Sequence, residues 1–273
     1  VTHVSPGDRV VLHWRKGRGI DSRTPTYQWN GCQVNAGWVT TFNEHAVVSE
    51  NRCTQIPPNC DLGVAALFGC AVTTGFGVVE NDADIHVGES VVVYGSGGIG
   101  LNVVQAAALR AAYPIIGVDL HKNRLDLATQ FGATHVIDGR SDDIEGQLLE
   151  ITGPPGVDVF IDNTGVPTVV ELGYRITKPQ GRVVLVGVSN HGEQIRISPL
   201  PLHFGKNVAG SHGGGSSPDV DIPRLLGLHV AGRVKLKEMI TDTVPLEGIN
   251  EAIEGMRSGT LAGRCLVSLG EAP

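Results

Sequence analysis

The run Gly95-Ser96-Gly97-Gly98-Ile99-Gly100 has the residue types and spacing that let a backbone hold a phosphate. In a G-x-G-x-x-G run the first glycine permits a tight turn, the second lets the main chain approach an anion, and the third lets a helix pack against a strand. Alone, the pattern is weak in a chain with 37 glycines. Its setting strengthens it, because a Val-rich strand is read over 90–94 and a small-residue helix over 99–112. The unpaired N–H groups that open such a helix face an anion. Asp119 ends the next apolar stretch, and its separation from Gly95 is close to the roughly 20 residues expected for the acid that receives an adenosine ribose. A carboxylate there accepts from a 2′-hydroxyl and repels a 2′-phosphate, which favours NAD(H) over NADP(H). The bland alternative is a glycine-rich turn followed by a solvated strand-end aspartate.

Elements that position this run alternate regularly. Strands are read over 90–94, 115–118, 135–137, 157–161, 182–186 and 207–210. Helices are read over 99–112, 122–131, 142–152 and 168–177, with another starting near Ser217, a candidate cap. Such alternation with continuous apolar strands predicts an α/β fold, a doubly wound six-stranded parallel Rossmann sheet covered on both faces. Before it, residues 1 to about 70 read as irregular and β-rich. Strands are expected over 9–13 and 43–50, with polar loop over 15–37 and no periodic pattern there. The expected divisions are 1–71, a partial catalytic domain; 72–212, the nucleotide-binding domain; and 213–273, a segment returning to the first.

The 273 residues carry a formal net charge of −7, with 41% hydrophobic and 18% charged. No basic stripe exists, so nucleic acid is not an expected partner. No apolar run approaches the roughly 20 residues that a membrane span needs, and no export signal opens the chain. Five cysteines (Cys32, Cys53, Cys60, Cys70 and Cys265) include no C-x-x-C pair. Free thiols and a cytoplasmic setting are therefore expected. The chain begins at Val1 inside what reads as a turn and strand, which reads as a fragment, a processed product or an incompletely recorded sequence.

Four stretches together resemble the zinc-dependent medium-chain alcohol dehydrogenases. They are Ser5-Pro6-Gly7-Asp8-Arg9-Val10-Val11, Gly69-Cys70-Ala71-Val72-Thr73-Thr74-Gly75-Phe76-Gly77, the glycine run through Asp119, and the end from Met256-Arg257-Ser258-Gly259 to Arg264. The resemblance implies a GroES-like character for the β-rich part and covers the later three-quarters of a family member. It also implies roles. Cys70 matches a ligand of the catalytic zinc, and Thr74 a residue beside the nicotinamide. Gly95, Gly97, Gly98, Ile99 and Gly100 match the phosphate loop. Asp119 and Arg124 match the ribose site, Val186 and Val188 the backbone lining the nicotinamide, and Arg264 an arginine on the pyrophosphate. Read without the family, Cys70 is a small buried hydrophobe, and Arg124 and Arg264 are ordinary surface charges.

The implied activity is hydride transfer between NAD and an alcohol or polyol, or the matching carbonyl compound. One catalytic zinc is implied in a complete family member. Its other two protein ligands, and the usual proton relay, fall outside this chain. The lobe that holds a structural zinc in many relatives corresponds to 15–37, which contains only Cys32, so no structural zinc is expected. Trp14, Tyr27 and Trp29 stand there instead, for packing, substrate contact or subunit contact. Two alternatives stay open. One is a zinc-free quinone or enoyl reductase, against which Cys70, Thr73-Thr74-Gly75 and Asp119 speak. The other is a non-catalytic NAD(H)-binding module. A homodimer or homotetramer paired through 207–210 is expected, because that strand would otherwise be an exposed edge.

Overall fold

The computed structural model describes residues 1–270, and they form two compact units. The first comprises Val1–Thr73 and the chain from Ser216 onward; the second is Thr74–Gly215.

In the first unit, β1 (Val10–Leu12) leads to β2 (Thr26–Trp29) and β3 (Cys32–Asn35), then β4 (Cys53–Gln55) and helix α1 (Leu62–Ala66). β1 pairs antiparallel with β4, with Val11 opposite Thr54. This corrects the expected strand over 43–50, which has no strand conformation. The pairing strand comes later, after a single turn of 3-10 helix at Glu50–Arg52 whose polar side chains are all buried. Glu50 explains the inward turn. Its carboxylate accepts from the backbone N–H groups of Thr2, His3 (3.0 Å) and Ile20 (2.9 Å), fastening two segments to one side chain. Those N–H groups, Thr2 first, hold Glu50 down from 4.5 to about 2. Arg52, equally buried, donates to the Trp14 carbonyl and lies 5.3 Å from the Trp38 ring centre.

The expected loop over 15–37 instead contains the β2–β3 hairpin, with Trp29 opposite Cys32. Its turn residues Asn30 and Gly31 both have positive φ (48° and 77°), the geometry that Asn-Gly supplies in a two-residue hairpin.

Helix α2 (Ala71–Gly77) leads into the second unit, where β5 (Val91–Tyr94), α3 (Gly98–Leu109), β6 (Ile115–Asp119), α4 (Lys122–Phe131), β7 (His135–Asp138), α5 (Ile144–Thr152), β8 (Val157–Asp162), α6 (Pro167–Ile176), β9 (Thr177–Leu185) and β10 (Asn207–Gly210) follow. The strands form one six-stranded sheet in the order β10-β9-β8-β5-β6-β7, every pair parallel. This is the doubly wound α/β arrangement expected from the strand and helix rhythm. Consecutive strands run outward from β5 in one direction and from β8 in the other, so the order reverses between β5 and β8. Ligands of such sheets bind at the C-terminal ends of the strands beside that reversal. The core is continuous: Val92, Ile116, Val118, Phe160 and Val183 are fully buried. Helix α6 approaches β8 closely through Gly173, where an added Cβ would lie 2.3 Å from the Phe160 ring.

The chain then re-enters the first unit through α7 (Pro218–Val230), β11 (Ile240–Pro245), α8 (Ile249–Ser258) and β12 (Arg264–Ser268), with β11 and β12 parallel. Ser217 does occupy the N-cap position of α7, but its side chain makes no capping bond. The Asp221 carboxylate accepts from the Ser217 N–H instead, at 2.7 Å. Among the described residues no single helix is long and apolar enough to cross a membrane.

Candidate functional site

The glycine run lies where β5 hands over to α3, directly at the reversal. Gly95 has φ +93°, and its N–H donates to the Val118 carbonyl at 2.8 Å, tying the loop to β6. At Gly100 an added Cβ would sit 2.0 Å from the Gly95 carbonyl oxygen, so the helix approaches the loop as only glycine allows. Gly97 is the opposite case. It is the N-cap of α3, with no side chain to cap it, and a Cβ there would meet nothing within 4 Å. The space in front of Gly97 is open, and the first-turn N–H groups of Gly98, Ile99 and Gly100 have no partners within the helix. A cradle open at the second glycine and closed at the third fits a pyrophosphate.

Asp119, at the end of β6, is nearly buried at 5% exposure. Its Oδ2 accepts from the Ser96 N–H at 2.8 Å, and its Oδ1 from the His121 N–H at 3.0 Å. Those two bonds fix the carboxylate beside the loop and leave each oxygen further accepting capacity, as a ribose diol requires. Arg124, on the first turn of α4, places Nη1 3.8 Å from Asp119 Oδ1. It is paired to Asp119 and is not an isolated surface charge.

On the other side of β5, the end of β8 is a tight turn. The Asp162 carboxylate accepts from Thr164 N (2.8 Å), Thr164 Oγ1 (2.6 Å) and Gly165 N (3.0 Å), while its carbonyl accepts from Val186 N and Gly187 N. Val186 is thereby held against β8, whereas Val188 is 92% exposed. Thr74 is buried in this same unit.

Asn163, immediately after β8, was not picked out from the sequence. Its Oδ1 is enclosed and has no hydrogen-bond partner. An added Cβ at Gly95 would lie 3.2 Å from Asn163 Cβ, and one at Gly100 would lie 3.5 Å from Asn163 Nδ2, so its side chain adjoins both glycines. A signal did exist, since the residue after the strand that pairs with β5 stands at the reversal. Finding it required knowing the strand order.

Cys70 and Arg264 belong to the first unit. Cys70 is exposed, which removes the reading of a buried small hydrophobe. Its backbone is fixed from the next turn, where Thr73 Oγ1 donates to the Cys70 carbonyl at 3.1 Å. Arg264 opens β12 and lies within electrostatic reach of Cys70. Burial pushes its guanidinium below the ordinary value, and Cys70 pulls the other way. For zinc the fit fails. Among the described residues no three His, Cys, Asp or Glu side chains form a group that could hold a metal ion. Cys70 is one thiol without companions of that kind.

Comparison with known proteins agrees with this geometry. A family profile described as zinc-binding dehydrogenase matches residues 98–228, from the start of α3 into α7. The S-(hydroxymethyl)glutathione dehydrogenase of Saccharomyces cerevisiae is 32% identical, over 94% of this chain and 64% of its own length. The chain thus spans just under two thirds of that relative. The enzyme of the same name from Escherichia coli O139:H28 is 34% identical, over 95% of this chain and 78% of its own. In fold, the crystal structure of benzyl alcohol dehydrogenase from Acinetobacter calcoaceticus superposes with a TM-score of 0.83 at 24% identity, covering 99% of this chain and 80% of that one. By sequence and by fold, this chain belongs to the zinc-dependent medium-chain alcohol dehydrogenase family.

Proposed function

We propose that this chain is the nucleotide-binding part, with a portion of the catalytic part, of an NAD-dependent oxidoreductase that transfers hydride between an alcohol or polyol and NAD. The observation that carries the reading is the cradle at the reversal, open at Gly97, closed at Gly100 and flanked by the fixed Asp119 carboxylate. NAD, when bound, supplies the hydride acceptor.

In this reading the chain's own residues bind and orient. The backbone N–H groups of Gly97, Gly98, Ile99 and Gly100 face the pyrophosphate with the positive end of α3. Asp119 accepts from the adenosine ribose and disfavours a 2′-phosphate, while Arg124 balances its charge. Thr74, Val186 and Val188 line the nicotinamide end, Arg264 serves the pyrophosphate, and Cys70 would supply one ligand of a catalytic zinc only beside others that the described residues do not provide. Because the described residues do not make a metal site, no step is assigned to a metal held by this chain. The substrate alcohol, its matching carbonyl compound and the direction of turnover belong to the whole protein.

Self-association through β10 completes the proposal. That strand is the sheet's edge, and Leu200, Leu202 and Phe204 before it are exposed. A homodimer or homotetramer covers this face, and a monomer by light scattering refutes it. The five free thiols fit a reducing cytoplasmic setting.

Calorimetric titration with NADH and NADPH tests the central claim. Saturable NADH binding, tighter than NADPH by about tenfold or more from like-charge repulsion at Asp119, is expected. Absence of binding by either nucleotide refutes it. Turnover of an alcohol panel, with zinc content measured on the same sample, separates an active dehydrogenase from a module that only binds the cofactor.

A further inference from the structure

The crevice at the sheet reversal has two sides, and the phosphate and adenosine-ribose contacts proposed above occupy one of them. Asp119 ends β6, the glycine run follows β5, and β8 pairs with β5 on the side away from β6. A dinucleotide whose adenosine ribose meets Asp119 and whose pyrophosphate lies over Gly97 must carry its second ribose past the end of β8. The first residue there is Asn163.

Along the chain at the end of β8 the neighbouring polar groups are paired. Its own N–H donates to the Tyr94 carbonyl at 2.8 Å, and the preceding Asp162 carboxylate accepts three bonds. Asn163 Oδ1, by contrast, is enclosed and unpartnered, as is Ser96 Oγ in the adjoining glycine run. The other end of the amide is held weakly, since Nδ2 reaches the Tyr94 carbonyl at 3.5 Å, the limit of a hydrogen bond. That contact also fixes the orientation of the amide, because the reverse assignment would set two oxygens against each other. A buried acceptor without a donor is unfavourable by more than so long a bond returns. The side chain is therefore held in place by little and gains by meeting a donor. The residue is only partly buried, so a turn of the side chain can present Oδ1 to the crevice.

We propose that Asn163, juxtaposed with Gly95 and Gly100 at the end of β8, is a cofactor-positioning residue whose Oδ1 accepts a hydrogen bond from a hydroxyl of the nicotinamide-side ribose. This rests on reading the glycine run as a dinucleotide site. It adds to that reading a selective contact with the half of the cofactor that reacts. By anchoring this ribose, Asn163 sets the depth at which the nicotinamide enters the crevice.

The test uses two fragments of the cofactor that differ in this ribose. ADP-ribose carries it and ADP does not, and both carry the pyrophosphate and the adenosine ribose. Calorimetric affinities are measured for wild type, Asn163→Val and Asn163→Ala, with the melting temperature of each unliganded protein as the check on folding. The expected result is a loss of about three- to tenfold in ADP-ribose affinity, the equivalent of one hydrogen bond, with ADP affinity unchanged in both variants. Equal weakening of both fragments would show that Asn163 only supports the glycine loop and would overturn the proposal. No change in either affinity would overturn it as well. If wild type binds neither fragment, the dinucleotide reading itself fails, an outcome distinct from the other two.

Discussion

Gly97→Ala separates binding from folding more cleanly than any other change in the loop. Gly97 has φ −74° and ψ −168°, extended backbone that alanine adopts without strain, and its Cβ would meet no atom within 4 Å. The folded protein therefore accommodates the methyl group. Stability should hold or rise by roughly 0.4–1 kcal/mol, because the unfolded chain loses freedom. The same methyl group fills the space through which the backbone reaches a pyrophosphate. Losing one hydrogen bond to a charged oxygen there removes about 1.5–3 kcal/mol, which is about 10- to 150-fold in Kd. The assay is NADH titration by fluorescence, paired with a thermal melt of the unliganded protein. Gly100→Ala is the control. Its Cβ would lie 2.0 Å from the Gly95 carbonyl oxygen, so it should lower the melting temperature even without ligand. If Gly97→Ala binds NADH within about twofold of wild type, the open space in front of Gly97 is not the phosphate seat and the argument from the cradle fails.

Three other changes probe different parts of the molecule. Asp119→Ser removes the acid that repels a 2′-phosphate, so the ratio of NADPH to NADH affinity should rise by about tenfold; an unchanged ratio contradicts the ribose role. Glu50 is held near 2 in the fold and titrates at 4.5 when free, so its stabilisation is complete above 4.5 and is lost as pH falls from there towards 2. Thermal melts across that range should show wild type losing stability more steeply than Glu50→Gln, with Asp138, also held at about 2 by Arg140, contributing equally to both curves. Phe160→Ala opens a cavity beneath α6 and should destabilise the protein by about 3–5 kcal/mol in urea unfolding; a change under about 1 kcal/mol would mean the β8–α6 contact relaxes closed.

The parts of the molecule that were legible in the sequence are those fixed by near neighbours. Strand, glycine turn and helix follow one another between Val91 and Leu109, so pattern and turn chemistry agree within a few residues. The apolar strands were equally readable, since burial on both faces leaves them no polar alternation. The Asn30-Gly31 turn carries a local signal of the same kind, but the polar character of its flanks concealed the hairpin, and 15–37 reads as loop. The strand expected over 43–50 failed for a non-local reason. Glu50 and Arg52 turn inward because their partners, Thr2, Ile20 and Trp14, lie far away in sequence and satisfy charges that would otherwise be exposed.

Asn163 shows the same division at the site itself. Asp119 can be recognised because it stands at a fixed distance from the glycines along one β-α-β unit. Asn163 is brought to those glycines by the pairing of β8 with β5, across two intervening strands of sequence, and nothing in its immediate neighbours marks it. A doubly wound sheet necessarily builds its ligand crevice from both halves, one readable by spacing and the other only by topology. In the proposed reading, the adenosine half of this site belongs to the first kind and the nicotinamide half to the second. Differences in cofactor geometry between members of the family should therefore arise more readily at the end of β8 than in the glycine run, where Gly100 has no steric freedom to vary.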